Sequence, residues 1–203
     1  GTHPFSRWRD QRITPGERYA WLAEQLQETV IRPVTFGLHV HVGVESGNLA
    51  IQIMRELQRY LPALLALSAN SPLWQGRATG HQAHRIELLE GMPTGGRPPE
   101  MDSWDDYLAI VRQLKAASFI DSSRELWWDV RPSAGNGTIE VRICDMPADL
   151  DDLLGLTALI QALVFDLSRQ IKQGAEPTRY PPLMVRQNRW RAYRFGLDAT
   201  LVA

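Results

Sequence analysis

Two short segments of the chain carry side chains of the kinds that bind metal ions and phosphate groups. Residues 37–44 read Gly-Leu-His-Val-His-Val-Gly-Val, and residues 138–143 read Thr-Ile-Glu-Val-Arg-Ile. Successive side chains of a β-strand point to opposite faces, so each segment has one apolar and one polar face. The glycines beside the histidines leave room for a ligand to approach. Carboxylate and imidazole suit a cation, and arginine suits phosphate. The polar faces carry His39, His41, Glu140 and Arg142.

A third segment, residues 126–131, has Asp129 and Arg131 on one parity and apolar side chains on the other. A loop rich in turn-forming residues, 132–137, joins it to the segment that contains Glu140. An antiparallel hairpin would bring the carboxylates of Asp129 and Glu140 together on one face. Such carboxylates repel each other unless a divalent metal or the arginines compensate them. An arginine–carboxylate ladder on an ordinary sheet explains the same pattern, because cross-strand ion pairs are common.

The bulk composition is that of a single globular domain. The chain has 203 residues, 44% hydrophobic residues and a formal net charge of −1. Neither nucleic-acid binding nor membrane binding is indicated by this charge balance, and no segment is apolar enough to span a bilayer. The single cysteine, Cys144, directly follows Ile143 of a predicted strand, which predicts a packing role. A reducing, cytoplasmic location is the default expectation.

Helices are predicted to alternate with the strands. One helix should begin at the capping box Thr14-Pro15-Gly16-Glu17, with Pro15 at its first position, and end at about Ile31. A second should begin near Asn48 and be kinked or interrupted at Pro62. Two more are predicted after the capping residues Ser103 and Asp149.

Residues 68–101 are predicted to be mostly irregular, and a loop of this length in a compact domain is usually functional, as in a lid. His81 and His84 within it lie three residues apart. No third ligand is evident nearby, so we interpret them as polar loop residues rather than a zinc site. The common phosphate-loop, dinucleotide-binding and hydrolase motifs do not occur in the sequence. A nucleotide, if bound, would therefore lie on the face of a sheet.

A set of short motifs in consistent order resembles the type 2 glutamate–cysteine ligase family, also called carboxylate–amine ligases. The resemblance implies an α+β fold: a curved antiparallel sheet with helices packed on one side, as in the catalytic domains of glutamine synthetase and guanidino kinases. The concave face of such a sheet would hold ATP, divalent metals and glutamate. The motifs are Gly-Thr-His-Pro-Phe (1–5), residues 37–44, Leu-Ser-Ala-Asn-Ser-Pro (67–72), residues 93–98, Trp-Trp-Asp-Val-Arg-Pro (127–132), residues 138–145, 188–192 and 194–199.

The resemblance implies that γ-glutamylcysteine is formed from glutamate and cysteine through a γ-glutamyl phosphate, with ATP and Mg²⁺ or Mn²⁺ as cofactors. It makes Glu140 and His39 candidate metal ligands, with His39 alternatively binding a phosphate oxygen. Arg142 and Arg131 become the candidate catalytic clamps. Further candidates for contacts with the nucleotide or substrate are His41, Arg85, Arg194 and Trp128.

The chain departs from the family pattern in one respect. Family members carry an acidic Glu-x-Glu strand that supplies metal ligands, and this chain contains no Glu-x-Glu. It therefore resembles an internal fragment, with residues 1–203 forming one partial catalytic domain that is incomplete at both ends. The isolated chain is expected to be inactive, and to form a homo-oligomer or pair with the missing segment. Two alternatives remain: a ligase that uses a different amine, and a truncated binding module without catalysis.

Overall fold

The computed structural model describes residues 1–178 and 180–202, in which helices are separated by short strands. The strands are β1 (Val40–Gly43), β2 (Leu73–Trp74), β3 (Arg77–Ala78), β4 (Val130–Ser133) and β5 (Thr138–Val141). The helices are α1 (Glu17–Leu26), α2 (Glu28–Ile31), α3 (Gly47–Leu57), α4 (Leu61–Ser68), α5 (His84–Glu90), α6 (Trp104–Ala116), α7 (Leu150–Lys172) and α8 (Pro182–Phe195).

The main sheet is antiparallel, has three strands and places β5 in the centre, between β1 and β4. Glu140 on β5 lies opposite His41 on β1 and opposite Arg131 on β4. The polar faces of the three segments therefore coincide. Together with the surrounding helices, this sheet confirms the predicted α+β class.

The pairing of β1 with β5 contains one extra residue close to Arg142. Val40 pairs with Val141, and the next bridge joins Gly37 to Asp145. Between these two pairs lie two residues on the β1 side, 38 and 39, and three on the β5 side, 142–144. The extra residue on the β5 side forms a β-bulge. Bulges bend a strand and redirect its side chains, and they are frequent beside functional sites.

Helices cover the apolar face of the sheet. α3 packs against β4 and β5, and α7 packs against β1 and α3. Burial of this face leaves the Glu140 side of the sheet for polar contacts, which fits the strand periodicity. Cys144 lies in the same core and is fully buried, in agreement with a packing role. The sheet contributes Val40, Val130, Ile139, Val141 and Ile143 to this core.

The predicted helices are found, with one difference in extent. The first predicted helix is divided at Gln27, whose φ of 50° is incompatible with a continuing helix, and it begins at Glu17 without a side-chain cap. The second is interrupted between α3 and α4, with Pro62 in the first turn of α4. Ser103 forms a full capping box with Asp106, and Asp149 caps α7. No helix in the described residues is long and apolar enough to cross a membrane.

The region 68–101 is more ordered than the sequence predicts. It contains the β2–β3 hairpin and helix α5, and the rest consists of turns and irregular segments. The backbone of Ser71 pairs with that of Ala83, so the two ends of the hairpin segment are held together. Its role as a lid remains a prediction.

Candidate functional site

Glu140 lies at the centre of a charged cluster on the open face of the sheet. Its side chain is 4% exposed, and both of its oxygens have cationic partners. Arg131 Nε donates to Glu140 Oε2 at 2.7 Å, and Arg142 Nη1 donates to Oε1. The cross-strand register places Arg131 there, and the bulged segment places Arg142 there. The predicted pairing of arginines with a carboxylate on this face is therefore present.

Two histidines complete the cluster on its solvent side. His39 Nδ1 is 3.3 Å from Glu140 Oε1, and His41 Nε2 is 3.6 Å from the same oxygen. His41 Nδ1 also forms a 2.8 Å hydrogen bond with the hydroxyl of Thr138. Both imidazoles are more than one-third exposed, so a ligand reaching this face would meet them before Glu140.

The electrostatics of the cluster keep Glu140 ionised. Burial by itself would raise the pKa of Glu140, but hydrogen bonds from His39 and Arg131 and the charge of Arg142 outweigh it and bring the pKa far below its usual range. Burial lowers the pKa of Arg142 to about 10, which leaves it cationic at neutral pH. The hydrogen bond to Glu140 raises the pKa of His39, yet burial and Arg142 together lower it overall.

The net charge of the cluster decides which ligand fits it. One carboxylate faces two guanidinium groups, and the lowered pKa of His39 favours its neutral form, so an excess positive charge remains. Such a group suits a phosphate or carboxylate. Mg²⁺ prefers several oxygen ligands, and Glu140 is the one carboxylate in this cluster within the described residues. The cluster thus fits Mg²⁺ only in part, as one ligand beside oxygens from a bound phosphate.

The two arginines differ in how far their donors are already used. Arg131 Nη1 donates to the backbone carbonyls of Arg124 and Leu126, at 2.8 Å each. Arg142 uses Nη1 for Glu140 and lies 3.3 Å from His39 Nδ1, and no further partner is found in the described part of the chain. Arg131 is therefore suited to hold Glu140 in place, and Arg142 to meet an anion.

Comparison with known proteins places the whole chain in one family. The family model described as "Glutamate-cysteine ligase family 2(GCS2)" matches residues 1–203. The chain belongs to glutamate–cysteine ligase family 2. It is 43% identical over 202 residues to a protein of Gloeobacter violaceus, and 42% identical to proteins of Clavibacter sepedonicus over 203 residues and Mycobacterium tuberculosis over 202 residues. Each of these proteins has the name "Putative glutamate--cysteine ligase 2".

Each match covers 100% of this chain and 53–54% of the relative. The chain thus spans about half the length of the curated relatives it matches. The family resemblance derived from ordered short motifs is confirmed along the full 203 residues.

Asp129 is not part of the Glu140 cluster, although its parity in the sequence suggested that it would be. It lies in a bend before β4, and its backbone N–H donates to the carbonyl of Gly96 at 2.7 Å. Its carboxylate accepts two hydrogen bonds from Arg189 on α8, at 2.6 and 3.1 Å. Arg189 also pairs with Glu90. Asp129 therefore joins the strand region of this family member to α8.

Arg85 has a set of partners that the predicted nucleotide contact did not anticipate. It is 4% exposed, and its guanidinium donates to the carbonyls of Arg142, Ile143 and Cys144 at 2.9–3.3 Å. A Cβ on Gly37 would lie 2.5 Å from this guanidinium. The space beside Gly37 is thus occupied by the guanidinium of Arg85 rather than by a ligand. Through its hydrogen bonds to the carbonyls of residues 142–144, Arg85 stabilises the bulged segment.

Two other candidates lie apart from the cluster. Arg194 is on the last turn of α8, with its guanidinium carbon 4.8 Å from the ring centroid of Phe195. Within the described residues, Arg194 forms no ion pair or hydrogen bond with Glu140 or its partners. Trp128 is buried in the core, edge-on to Tyr107. Their contacts with a ligand remain predictions.

A cavity of about 700 Å³ lies between α3, residues 97–102 and residues 176–178 and 180–182. Its arginines already have acidic partners: Arg55 pairs with Asp102 at 3.0 Å, and Arg97 with Glu100 at 3.3 Å. The cavity contains none of the Glu140 cluster. The excess charge that suits an anionic substrate therefore lies on the open sheet face and not in this cavity.

Proposed function

We propose that this chain carries the anion-binding face of an ATP-dependent glutamate–cysteine ligase. The observation that supports this most is the Glu140 cluster, a charged group with excess positive charge on the open face of the central sheet in a member of this family. The proposed products are γ-glutamylcysteine, ADP and phosphate. The proposed cofactors are ATP with Mg²⁺ or Mn²⁺.

The reaction would proceed in two displacements. An oxygen of the γ-carboxylate of glutamate attacks the γ-phosphorus of ATP, and ADP leaves with the electron pair of the broken P–O bond. The amine of cysteine then attacks the acyl carbon of γ-glutamyl phosphate, and phosphate leaves. Both steps concentrate negative charge on phosphoryl oxygens, which preorganised cationic donors stabilise.

Arg142 is the residue best placed for this stabilisation. Its Nε and Nη2 donors have no protein partner among the described residues, and its side chain is 14% exposed. Glu140 and Arg131 hold its guanidinium in one orientation, which lowers the entropy cost of aligning the phosphoryl group and the carboxylate. His39 and His41 would contact the same anion from the solvent side, with Glu140 as one oxygen ligand to a phosphate-bound metal.

The intermediate gives an experiment that does not depend on the amine. Hydroxylamine replaces the amine and converts γ-glutamyl phosphate into a hydroxamate, which is detected as its ferric complex. The whole protein with ATP, Mg²⁺ and glutamate should form hydroxamate and release one ADP for each. Formation of ADP without hydroxamate, or of neither in folded protein, would contradict the proposal. Replacing hydroxylamine by a panel of amines then identifies the natural acceptor.

A further inference from the structure

A second group of metal-binding side chains, separate from the Glu140 cluster, lies in the first turn of α5 and in the segment just before it. His81, His84 and Glu87 each offer one ligand atom, and these three atoms lie within 4.8 Å of one another. Their spacing is three residues each, and Glu87 follows His84 by nearly one turn of α5. The third ligand that the sequence did not reveal is therefore supplied by the helix.

The contacts of Glu87 show how closely the group converges. Glu87 Oε2 is 2.6 Å from His81 Nδ1 and 3.0 Å from His84 Nδ1. Two imidazole nitrogens thus share one carboxylate oxygen. His81 Nδ1 is shielded from solvent and forms no hydrogen bond of acceptable geometry in the described residues, even though Oε2 is near. In the tautomer that leaves Nδ1 unprotonated, this nitrogen has a lone pair without a well-aligned partner, and a metal ion would accept that lone pair.

The surrounding residues hold the two rings in place. The rings of His81 and His84 are stacked with centroids 5.8 Å apart, and Tyr193 meets His81 edge-on at 5.2 Å. The backbone N–H groups of Gln82 and Ala83 both donate to the carbonyl of Tyr193, at 2.8 and 3.0 Å. The segment between the histidines is thus fixed to α8, so little rearrangement is needed to bind an ion.

The donor set determines the class of metal. Two imidazoles and one carboxylate suit Zn²⁺ and its neighbours in the first transition row, whereas Mg²⁺ prefers ligands that are all oxygen. Zinc bonds of about 2.0–2.1 Å to these atoms need ligand separations of roughly 3.3 Å in a tetrahedron. The half-exposed Glu87 can open to this separation, and water can reach the fourth position.

We propose that His81, His84 and Glu87 form a binding site for Zn²⁺ or a similar transition-metal ion, separate from the Glu140 cluster. One ion would bind per site, with three protein ligands and one water. By joining the residues before α5 to its first turn, the ion would make the start of α5 more rigid.

The experiment measures Zn²⁺ affinity by competition with a chromophoric chelator. The Glu140 cluster also contains two histidines and a carboxylate, so it is removed first by Glu140→Gln. In that background, one Zn²⁺ should still bind per chain, and a 100-fold excess of Mg²⁺ should not displace it. Adding Glu87→Gln should weaken this Zn²⁺ by 10-fold or more, as should His81→Gln. The control His3→Gln, at a histidine outside both groups, should leave the affinity unchanged.

Equal affinity with and without Glu87→Gln, or an equal loss from His3→Gln, would overturn the proposal. Cobalt gives a second readout, measured on the unaltered chain and in the Glu140→Gln background, where the bands should be retained if they arise from His81, His84 and Glu87. Co²⁺ should develop the strong visible bands of four-coordinate geometry, and added Zn²⁺ should remove them. Weak bands typical of six-coordinate Co²⁺ would count against the site. Circular dichroism of each variant checks that the fold is retained.

Discussion

Arg131 and Glu140 face each other across β4 and β5, and Arg131 Nε lies 2.7 Å from Glu140 Oε2. The same arginine donates to the carbonyls of Arg124 and Leu126, which precede β4. The pair therefore joins the strand to the segment that leads into it. Glu140 also accepts a hydrogen bond from Arg142, so one buried carboxylate orients both guanidinium groups.

This arrangement predicts that Glu140→Gln destabilises the fold at neutral pH. The neutral amide leaves two nearly buried guanidinium groups without a charged acceptor, which should cost roughly 1–3 kcal/mol in the free energy of unfolding. Urea unfolding of the variant and of the original protein at pH 7 measures the difference. Glu24→Gln is the matched control, because Glu24 is exposed and distant in sequence from the cluster.

The pH dependence of this difference follows from the depressed pKa of Glu140. A carboxyl whose folded-state pKa is lowered stabilises the protein above its unfolded pKa, here about 4.5, and loses that contribution as the pH falls toward the folded value. The difference between the two proteins should thus be constant from pH 7 to about 5 and shrink below 4.5. A difference that stays constant down to pH 3 would contradict the role assigned to Glu140.

Asp129→Asn should destabilise the protein without acting on the anion-binding face. Asp129 and Arg189 form a two-bond ion pair that is more than nine-tenths buried on both sides. Removing one charge of an isolated buried pair costs about 3–5 kcal/mol. Arg189 keeps a second, half-exposed partner in Glu90, so the expected loss is smaller, roughly 1–3 kcal/mol. Thermal and urea unfolding would show this loss. Arg112→Gln, at an exposed position on α6, should have almost no effect by the same measurements.

Cys144 should be unreactive in the folded protein. Burial raises the pKa of its thiol to about 11, so the thiolate is scarce at pH 8, and the sulfur is shielded from solvent. A disulfide reagent such as Ellman's reagent should therefore modify it only after unfolding in guanidinium chloride. Rapid reaction of one thiol per native chain would show that the core around Cys144 opens readily.

The sequence predicted most of the Glu140 cluster because strand periodicity determines which side chains share a face. His39, His41, Glu140 and Arg142 were grouped on that basis, and the register of β5 with both neighbours brings them together. Period-two reasoning needs only local information. The alternation therefore predicts the correct face wherever a strand is regular, or where a bulge leaves the next side chain on the same face of the sheet.

The predictions that differ from the structure depend on distant contacts or on a helix that the sequence did not indicate. The side chain of Asp129 does not join the Glu140 cluster, because a bend and a hydrogen bond to the backbone of Gly96 interrupt the strand there. Its partner, Arg189, lies 60 residues further along the chain. Arg85 lies on a helix that the sequence had not indicated and donates to three backbone carbonyls, and its contact with a ligand remains a prediction. Glu87 was missed because residues 84–90 were expected to be irregular, and only a helix brings it close to His84.

The most direct test of the central claim is the rate of glutamate- and cysteine-dependent ADP formation by the whole protein carrying Arg142→Lys. Lysine keeps the positive charge beside Glu140 but cannot reproduce the planar donors of arginine, so the turnover rate should fall by about 100-fold or more. Arg112→Lys is the matched control and should keep the original rate. An Arg142→Lys protein that folds normally and turns over at the original rate would contradict the assignment of this sheet face to catalysis.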